Sequence, residues 1–315
     1  MLSANGCREW ILDFKHVSVL YDECISGLNI KPDGIYIDAT MGGAGHSMGI
    51  CKRLSEKGMF IGIDRDEDAF SVAKERLSDT VCKKEYINSN FSEISLSLKA
   101  DGILADLGVS SFQLDSSGKG FSYRSNEKID MRMQRASELT AEIVVNTYRH
   151  QDLYRIISQY GEEKYAKNIA TSIIKAREQK PIETTDELSE IIRHSMPYKS
   201  TKEKHPSKRT FQAIRIEVND ELGSLKTALR KFFSILNPGG RLCIISFHSL
   251  EDRLVKEYFK SLTEVCTCPP DFPVCVCGNI KQGKLITRKP ILPSKTETEE
   301  NPRSKSAKLR IIEKI

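Results

Sequence analysis

Ile35-Tyr36-Ile37-Asp38, then Met41-Gly42-Gly43-Ala44-Gly45-His46-Ser47, then Met59-Phe60-Ile61-Gly62-Ile63-Asp64: this stretch decides the fold. The first run is short, apolar and β-rich, and it stops at an acid. Three glycines follow, where the chain must turn sharply into the next element. Met48, Ile50, Cys51 and Leu54 carry helical spacing, and Gly58 is a natural stop before the second apolar run, which ends in Asp64. Strand, glycine loop, helix and strand form one βαβ unit. A ligand can approach such a loop closely, and an acid at the end of the second strand can accept both hydroxyls of a ribose.

The details discriminate among ribose-bearing cofactors. A dinucleotide fold reads G-x-G-x-x-G and seats a pyrophosphate on the helix N-terminus, a spacing this loop does not match. Asp38 at the tip of the first strand would repel a pyrophosphate and attract an ammonium. S-adenosylmethionine has no phosphate and carries an α-ammonium, so an acid at each strand end suits it better than NAD. No G-x-x-x-x-G-K-[ST] is present, which excludes a P-loop.

Moving outward, strand and helix continue to alternate. Ala69 to Leu77 reads as a helix, Lys84 to Ile87 as a third strand, and Asp101 to Asp106 as a fourth with an acid at its end. Leu236-Asn237-Pro238-Gly239-Gly240 reads as a helix stop and turn before a fifth strand, Arg241 to Phe247. The gap between Asp106 and Arg241 is several times the about 30 residues of a βαβ unit, so it holds an insertion. Thr140 to Tyr148, Asp152 to Tyr160 and Glu162 to Gln179 are helical in spacing. Thr184 and Glu187 form a T-x-x-E capping box for a fourth helix that stops before Pro197. A final helix, apolar from Phe211 through Leu236, should return the chain to the sheet. The expected class is α/β: a doubly wound, mostly parallel sheet with an inserted all-helical domain. Its boundaries are expected at 1–118 and 211–315 for the sheet and 119–210 for the insert.

Length and composition agree with two units. At 315 residues the chain exceeds the usual single core, and 39% hydrophobic residues can fill one large and one smaller core. A net charge of +5 permits a polyanionic partner without demanding one. The basic loop from Lys199 to Arg209, with Lys202, Lys204, His205 and Lys208, is either a solvated linker or a phosphate contact. The basic run from Lys281 to Lys289 is followed by Lys308 to Ile312, read as the closing strand. No apolar run approaches the about 20 residues of a membrane span. Trp10-Ile11-Leu12 lies among charges and is no signal segment. A cytoplasmic protein without a membrane partner is expected.

Nine cysteines are unevenly placed. Cys7, Cys24, Cys51, Cys82 and Cys243 are scattered in mostly apolar surroundings and read as reduced thiols. Cys266, Cys268, Cys275 and Cys277 form C-x-C-(x6)-C-x-C beside Pro269, Pro270 and Pro273. Four thiolates so close can surround a structural Zn2+, although the spacing is tighter than a C-x2-C knuckle and a reduced, proline-stiffened loop is the alternative.

Chemistry is expected where Asp106 meets Gly108-Val109-Ser110-Ser111, because active residues of a doubly wound sheet lie at strand carboxyl ends. Methyl transfer from a sulfonium needs alignment and exclusion of water more than a strong nucleophile. A carboxylate there can accept hydrogen bonds from an exocyclic amine, aim its lone pair at the methyl, and help remove the proton that becomes acidic. Methylation at pyrimidine C5 would need an attacking cysteine, and there is no Pro-Cys dipeptide.

A set of motifs now stands in order: His16-Val17-Ser18-Val19-Leu20; Asp38-Ala39-Thr40 through Ser47; Gly62-Ile63-Asp64-Arg65-Asp66; Asp106-Leu107-Gly108 through Gln113-Leu114-Asp115; Gly120-Phe121-Ser122; Asp130-Met131-Arg132-Met133; Arg209-Thr210-Phe211 through Arg215; and Ser246-Phe247-His248-Ser249-Leu250-Glu251-Asp252-Arg253. Together they resemble, nearly end to end, the bacterial 16S ribosomal RNA cytosine-N4 methyltransferase family, RsmH or MraW. The resemblance implies that Ala44, Gly45 and His46 contact the methionine end of S-adenosyl-L-methionine, Asp64 its ribose and Phe91 its adenine surroundings. It places Asp106 and Gln113 near the transferred methyl; the strand-end argument above makes Asp106 the candidate catalytic residue and Asp38 a further candidate cofactor contact. It implies as acceptor the N4 amine of a cytidine in 16S rRNA of the small ribosomal subunit, which must be turned out of its stack to react. The insert and the basic loop become candidates for holding RNA; a homodimer stays open. Leu107-Gly108-Val109 stands where amine methyltransferases often carry Asp/Asn-Pro-Pro-aromatic, so the residue that stacks on the target base is not given by this motif. Two rivals remain: a nicotinamide-dependent oxidoreductase on the same sheet, and a catalytically idle RNA-binding assembly factor.

Overall fold

The computed structural model describes residues 18–108, 118–134, 137–197, 205–264 and 280–315. In chain order the elements are α1 (Tyr21–Leu28), β1 (Ile35–Asp38), α2 (Gly45–Cys51), β2 (Met59–Asp64), α3 (Glu67–Arg76), β3 (Lys83–Asn88) and β4 (Ala100–Asp106). Four helices follow: α4 (Ala141–Thr147), α5 (His150–Gln159), α6 (Ala166–Arg177) and α7 (Thr185–His194). Then come α8 (Lys208–Asn219), α9 (Glu221–Ile235), β5 (Leu236–Ser246), α10 (Ser249–Thr263), β6 (Gly283–Leu285), α11 (Lys295–Glu300) and β7 (Lys308–Lys314).

The strands form one seven-stranded sheet in the order β3-β2-β1-β4-β5-β7-β6. β1 to β5 run parallel, and β7 is antiparallel to both its neighbours. Side chains alternate between faces along each strand. Tyr36, Phe60, Leu104, Cys243 and Ile245 pack on one side with Cys24, Ile25 and Leu28 of α1 and Ile50 of α2. Ile37, Ile61, Ile103, Leu242 and Ile244 pack on the other with Leu225 and Phe232 of α9 and Val255 and Phe259 of α10. Both faces are therefore covered, as a sheet of near-continuous apolar strands requires. Chain order reverses between β1 and β4, which opens a crevice at their carboxyl ends.

The chain divides into two compact units, residues 1–108 with 224–315, and residues 109–223. The second has its own core, built from Ile129, Met131, Val144, Leu153, Ile156, Ile169, Ile173, Leu188, Ile192, Phe211 and Ile214. The capping box of α7 is formed: the Thr184 side chain accepts from the Glu187 amide, and the Glu187 carboxylate accepts from the Thr184 amide.

Three expectations are corrected. The return helix is two helices, because Asp220 turns left-handed at φ 44°, and its apolar residues are divided between cores: Phe211, Ile214 and Val218 in the helical unit, Leu225, Leu229 and Phe232 against the sheet. The Asn237-Pro238-Gly239-Gly240 turn lies inside β5 as a bulge, since Ala100 pairs with Leu236 and Gly102 with Arg241. β6 lies within the Lys281–Lys289 run, paired by its backbone to β7. The Cys266, Cys268, Cys275 and Cys277 cluster and Cys7 lie outside the described residues, whereas Cys24, Cys51, Cys82 and Cys243 are buried free thiols. Among the described residues no helix is long and apolar enough to cross a membrane.

Candidate active site

Asp38, Asp64 and Asp106 end β1, β2 and β4. The three strands are parallel, so all three carboxylates stand on one edge of the sheet. The loop after β1 is shaped by left-handed turns at Gly42 (φ 47°) and Ala44 (φ 63°). Gly45 opens α2, and a Cβ there would collide with Ser18 Oγ in its present rotamer and lie 3.3 Å from Ser18 Cβ, so glycine lets the helix start this close to the N-terminal segment without a shift. Arg76 of α3 donates to the Gly43 carbonyl at 2.7 Å, tying the loop down from outside.

Each acid has a different environment. Asp38 is 1% exposed and accepts from Ser47 Oγ at 2.7 Å and the Thr40 amide at 3.2 Å. Burial lifts its pKa to about 6, against the pull of those two hydrogen bonds, and Asp64 adds to the rise. It braces the loop from a position almost wholly out of solvent. Asp64 accepts from the Gly42 amide at 2.7 Å through one oxygen and from the Asp66 amide at 2.9 Å through the other. Burial also raises its pKa, while these bonds oppose the rise. It stays partly exposed, with lone pairs left for a ligand's hydroxyls.

Asp106 is the least satisfied. Its side chain is 23% exposed, yet Oδ1 is sealed from solvent and, among the described residues, has no hydrogen-bond partner. Burial pushes its pKa up to about 7; the Gly108 amide opposes this, and Asp38 and Glu251 add to it. The Asp106 amide donates to Thr40 Oγ1 at 2.6 Å, fixing the strand end against the glycine loop. His46 is 6% exposed, with Nε2 3.0 Å from the Val19 carbonyl and Nδ1 4.0 Å from Asp106 Oδ2. The Tyr21 ring stacks on its imidazole at 6.1 Å and 17°.

Sequence reasoning did not find Thr40, Ser47, Tyr21, Val19 or Arg76. A signal for Thr40 existed: Asp38-x-Thr40 and Asp64-x-Asp66 both place an amide two residues after a strand-end acid, which is an Asx-turn. Phe91 lies in the loop after β3, its ring 6.1 Å from Phe232 in the core under the sheet. Gln113 lies outside the described residues.

A family model described as the MraW methylase family matches residues 13–315. The chain belongs to that family. Among its relatives, ribosomal RNA small subunit methyltransferase H 2 of Agathobacter rectalis is 58% identical over 311 residues, covering 96% of this chain and 99% of that protein. Ribosomal RNA small subunit methyltransferase H of Clostridioides difficile is 55% identical, covering 96% of this chain and 100% of that protein. The matches to this MraW methylase chain span both units, so the inserted helices belong to the family's design as much as the sheet does.

Proposed function

We propose that this chain transfers a methyl group from S-adenosyl-L-methionine to the exocyclic N4 amine of a cytidine in 16S rRNA, position 1402 in the standard numbering of that RNA. Membership of the MraW methylase family and the full-length similarity to rRNA small subunit methyltransferases H support the rRNA methyltransferase reading. The observation that carries the choice of atom is Asp106, a partly exposed carboxyl at the switch point of the sheet whose pKa is pushed up to about 7.

The residues present fit the cofactor. When bound, it supplies a methyl on a positively charged sulfur. Asp64, already fixed by two backbone amides, accepts from the ribose hydroxyls. The buried His46 ring and the Asp106 carboxyl, 4.0 Å apart, would line the methionine end of the cofactor. The part of the Asp106 carboxyl that solvent reaches would accept from the N4 amine of the acceptor base, turning its lone pair toward the methyl. As the N–CH3 bond forms and the S–CH3 bond breaks, N4 becomes acidic and its proton passes to the Asp106 carboxylate. A base with a pKa near the working pH suits that role. The helical unit, residues 109–223, is assigned to RNA recognition.

Calorimetric titration tests the cofactor half of this reading. S-adenosylmethionine should bind, and Asp64→Asn should weaken binding about tenfold through loss of ribose acceptors. Binding of NAD with no binding of S-adenosylmethionine would defeat it.

A further inference from the structure

In the helical unit, an exposed imidazole lies on a phenol ring. The His205 and Tyr123 centroids are 4.2 Å apart at 27°. Phe211, 3% exposed, meets Tyr123 edge-on at 5.9 Å and 81°, which roots the stack in the core. The Arg124 guanidinium carbon is 5.8 Å from the Tyr123 centroid, within cation–π range, and the Arg124 amide donates to Ser122 Oγ at 3.2 Å. Lys208, exposed in the first turn of α8, has its amide bonded to the His205 carbonyl. The Ser207 amide donates to His205 Nδ1 at 3.4 Å, which fixes the ring.

Phe211 already anchors Tyr123, and an exposed outer ring adds little burial. Burial and the Arg124 charge hold the His205 pKa below its ordinary value, so the ring presents a neutral aromatic face at neutral pH. A neutral π surface with the Arg124 guanidinium beside it and Lys208 one turn along the chain from His205 matches a nucleotide: the base stacks, and the phosphates meet the cations. We propose that the Tyr123–His205 stack, flanked by Arg124 and Lys208, is a platform for one unpaired nucleobase of the RNA substrate. This rests on the reading of the chain as an rRNA methyltransferase.

Fluorescence anisotropy of the full chain with a single-stranded RNA oligonucleotide, over a salt series, tests it. His205→Ala should bind about tenfold more weakly with an unchanged salt slope, while His205→Phe should stay near wild type. Lys208→Ala should weaken binding and lower the slope by about one. S-adenosylmethionine affinity of the His205 variants should match wild type, and their helical circular dichroism and denaturation midpoints should too, which reports an intact helical unit. The platform is overturned if His205→Ala binds as wild type, or if His205→Phe is as weak as His205→Ala. It is also overturned if only binding to assembled subunits falls, since that points to a protein contact. Failure of wild type to methylate undermethylated subunits would instead remove the underlying methyltransferase reading.

Discussion

His46 Nδ1 and Asp106 Oδ2 face each other at 4.0 Å, too far for a direct hydrogen bond, while Nε2 of the same ring lies 3.0 Å from the Val19 carbonyl. A carbonyl only accepts, so the ring carries a proton on Nε2, and its other nitrogen is turned toward the Asp106 carboxyl. The buried ring and the carboxyl together shape the wall beside the glycine loop. His46→Ala should therefore weaken S-adenosylmethionine binding about tenfold by calorimetry. It should also cost about 1 to 3 kcal/mol of stability from the vacated, buried ring site.

Asp106 should control the pH dependence of turnover. With its pKa near 7, the carboxylate needed to orient the amine and take its proton is formed as pH rises through that value. Single-turnover methyl transfer by wild type should rise with pH and level off above about 8. Asp106→Asn should be slower by about a hundredfold or more and flat over the same range.

The same residue makes a stability prediction with a definite sign. In the unfolded chain its carboxyl ionises near 3.8, and in the folded chain near 7. Between those values the folded state holds more protons, so raising the pH lowers stability, and the penalty is complete above 7. Asp38, raised to about 6, acts in the same direction. Asp106→Asn should thus be more stable than wild type by about 1 to 3 kcal/mol at pH 8, the gap closing toward pH 4. Chemical denaturation at the two pH values measures it.

Gly45→Ala should disrupt the glycine loop, because its methyl meets Ser18 Oγ and lies 3.3 Å from Ser18 Cβ. A loss of about 1 to 3 kcal/mol and weaker cofactor binding are expected. Ser18→Gly in the same chain should recover most of both. A double-mutant cycle on denaturation midpoints reads the coupling.

Much of this was readable in the residues, for physical reasons specific to each element. β1, β2 and β4 are apolar runs that stop at an acid, and parallel strands carry those acids to one edge whatever the loops do. α7 announces itself through the reciprocal Thr184–Glu187 cap. What escaped notice lacked a local signature. α1 begins at Leu20, left-handed at φ 53° and without a side-chain cap, and is held by burial of Cys24, Ile25 and Leu28 against the sheet. β6 is three residues inside a basic run and exists because β7 offers it a backbone partner. The break at Asp220 interrupts an apolar period that reads straight through it, since the two halves serve different cores. Within the site, the acids were visible, but their division of labour was not. Asp38 is buried against Ser47 and Thr40, and Asp106 keeps an oxygen with no partner among the described residues; both depend on contacts made only when the strands assemble.

The central claim is that Asp106 directs an exocyclic amine of cytidine toward the donor methyl. Undermethylated small ribosomal subunits, incubated with the protein and labelled S-adenosylmethionine and digested for mass spectrometry, test it most directly. The account predicts label in N4-methylcytidine with wild type and almost none with Asp106→Asn. Label on a ring carbon or a ribose hydroxyl, or equal labelling by both proteins, would contradict it.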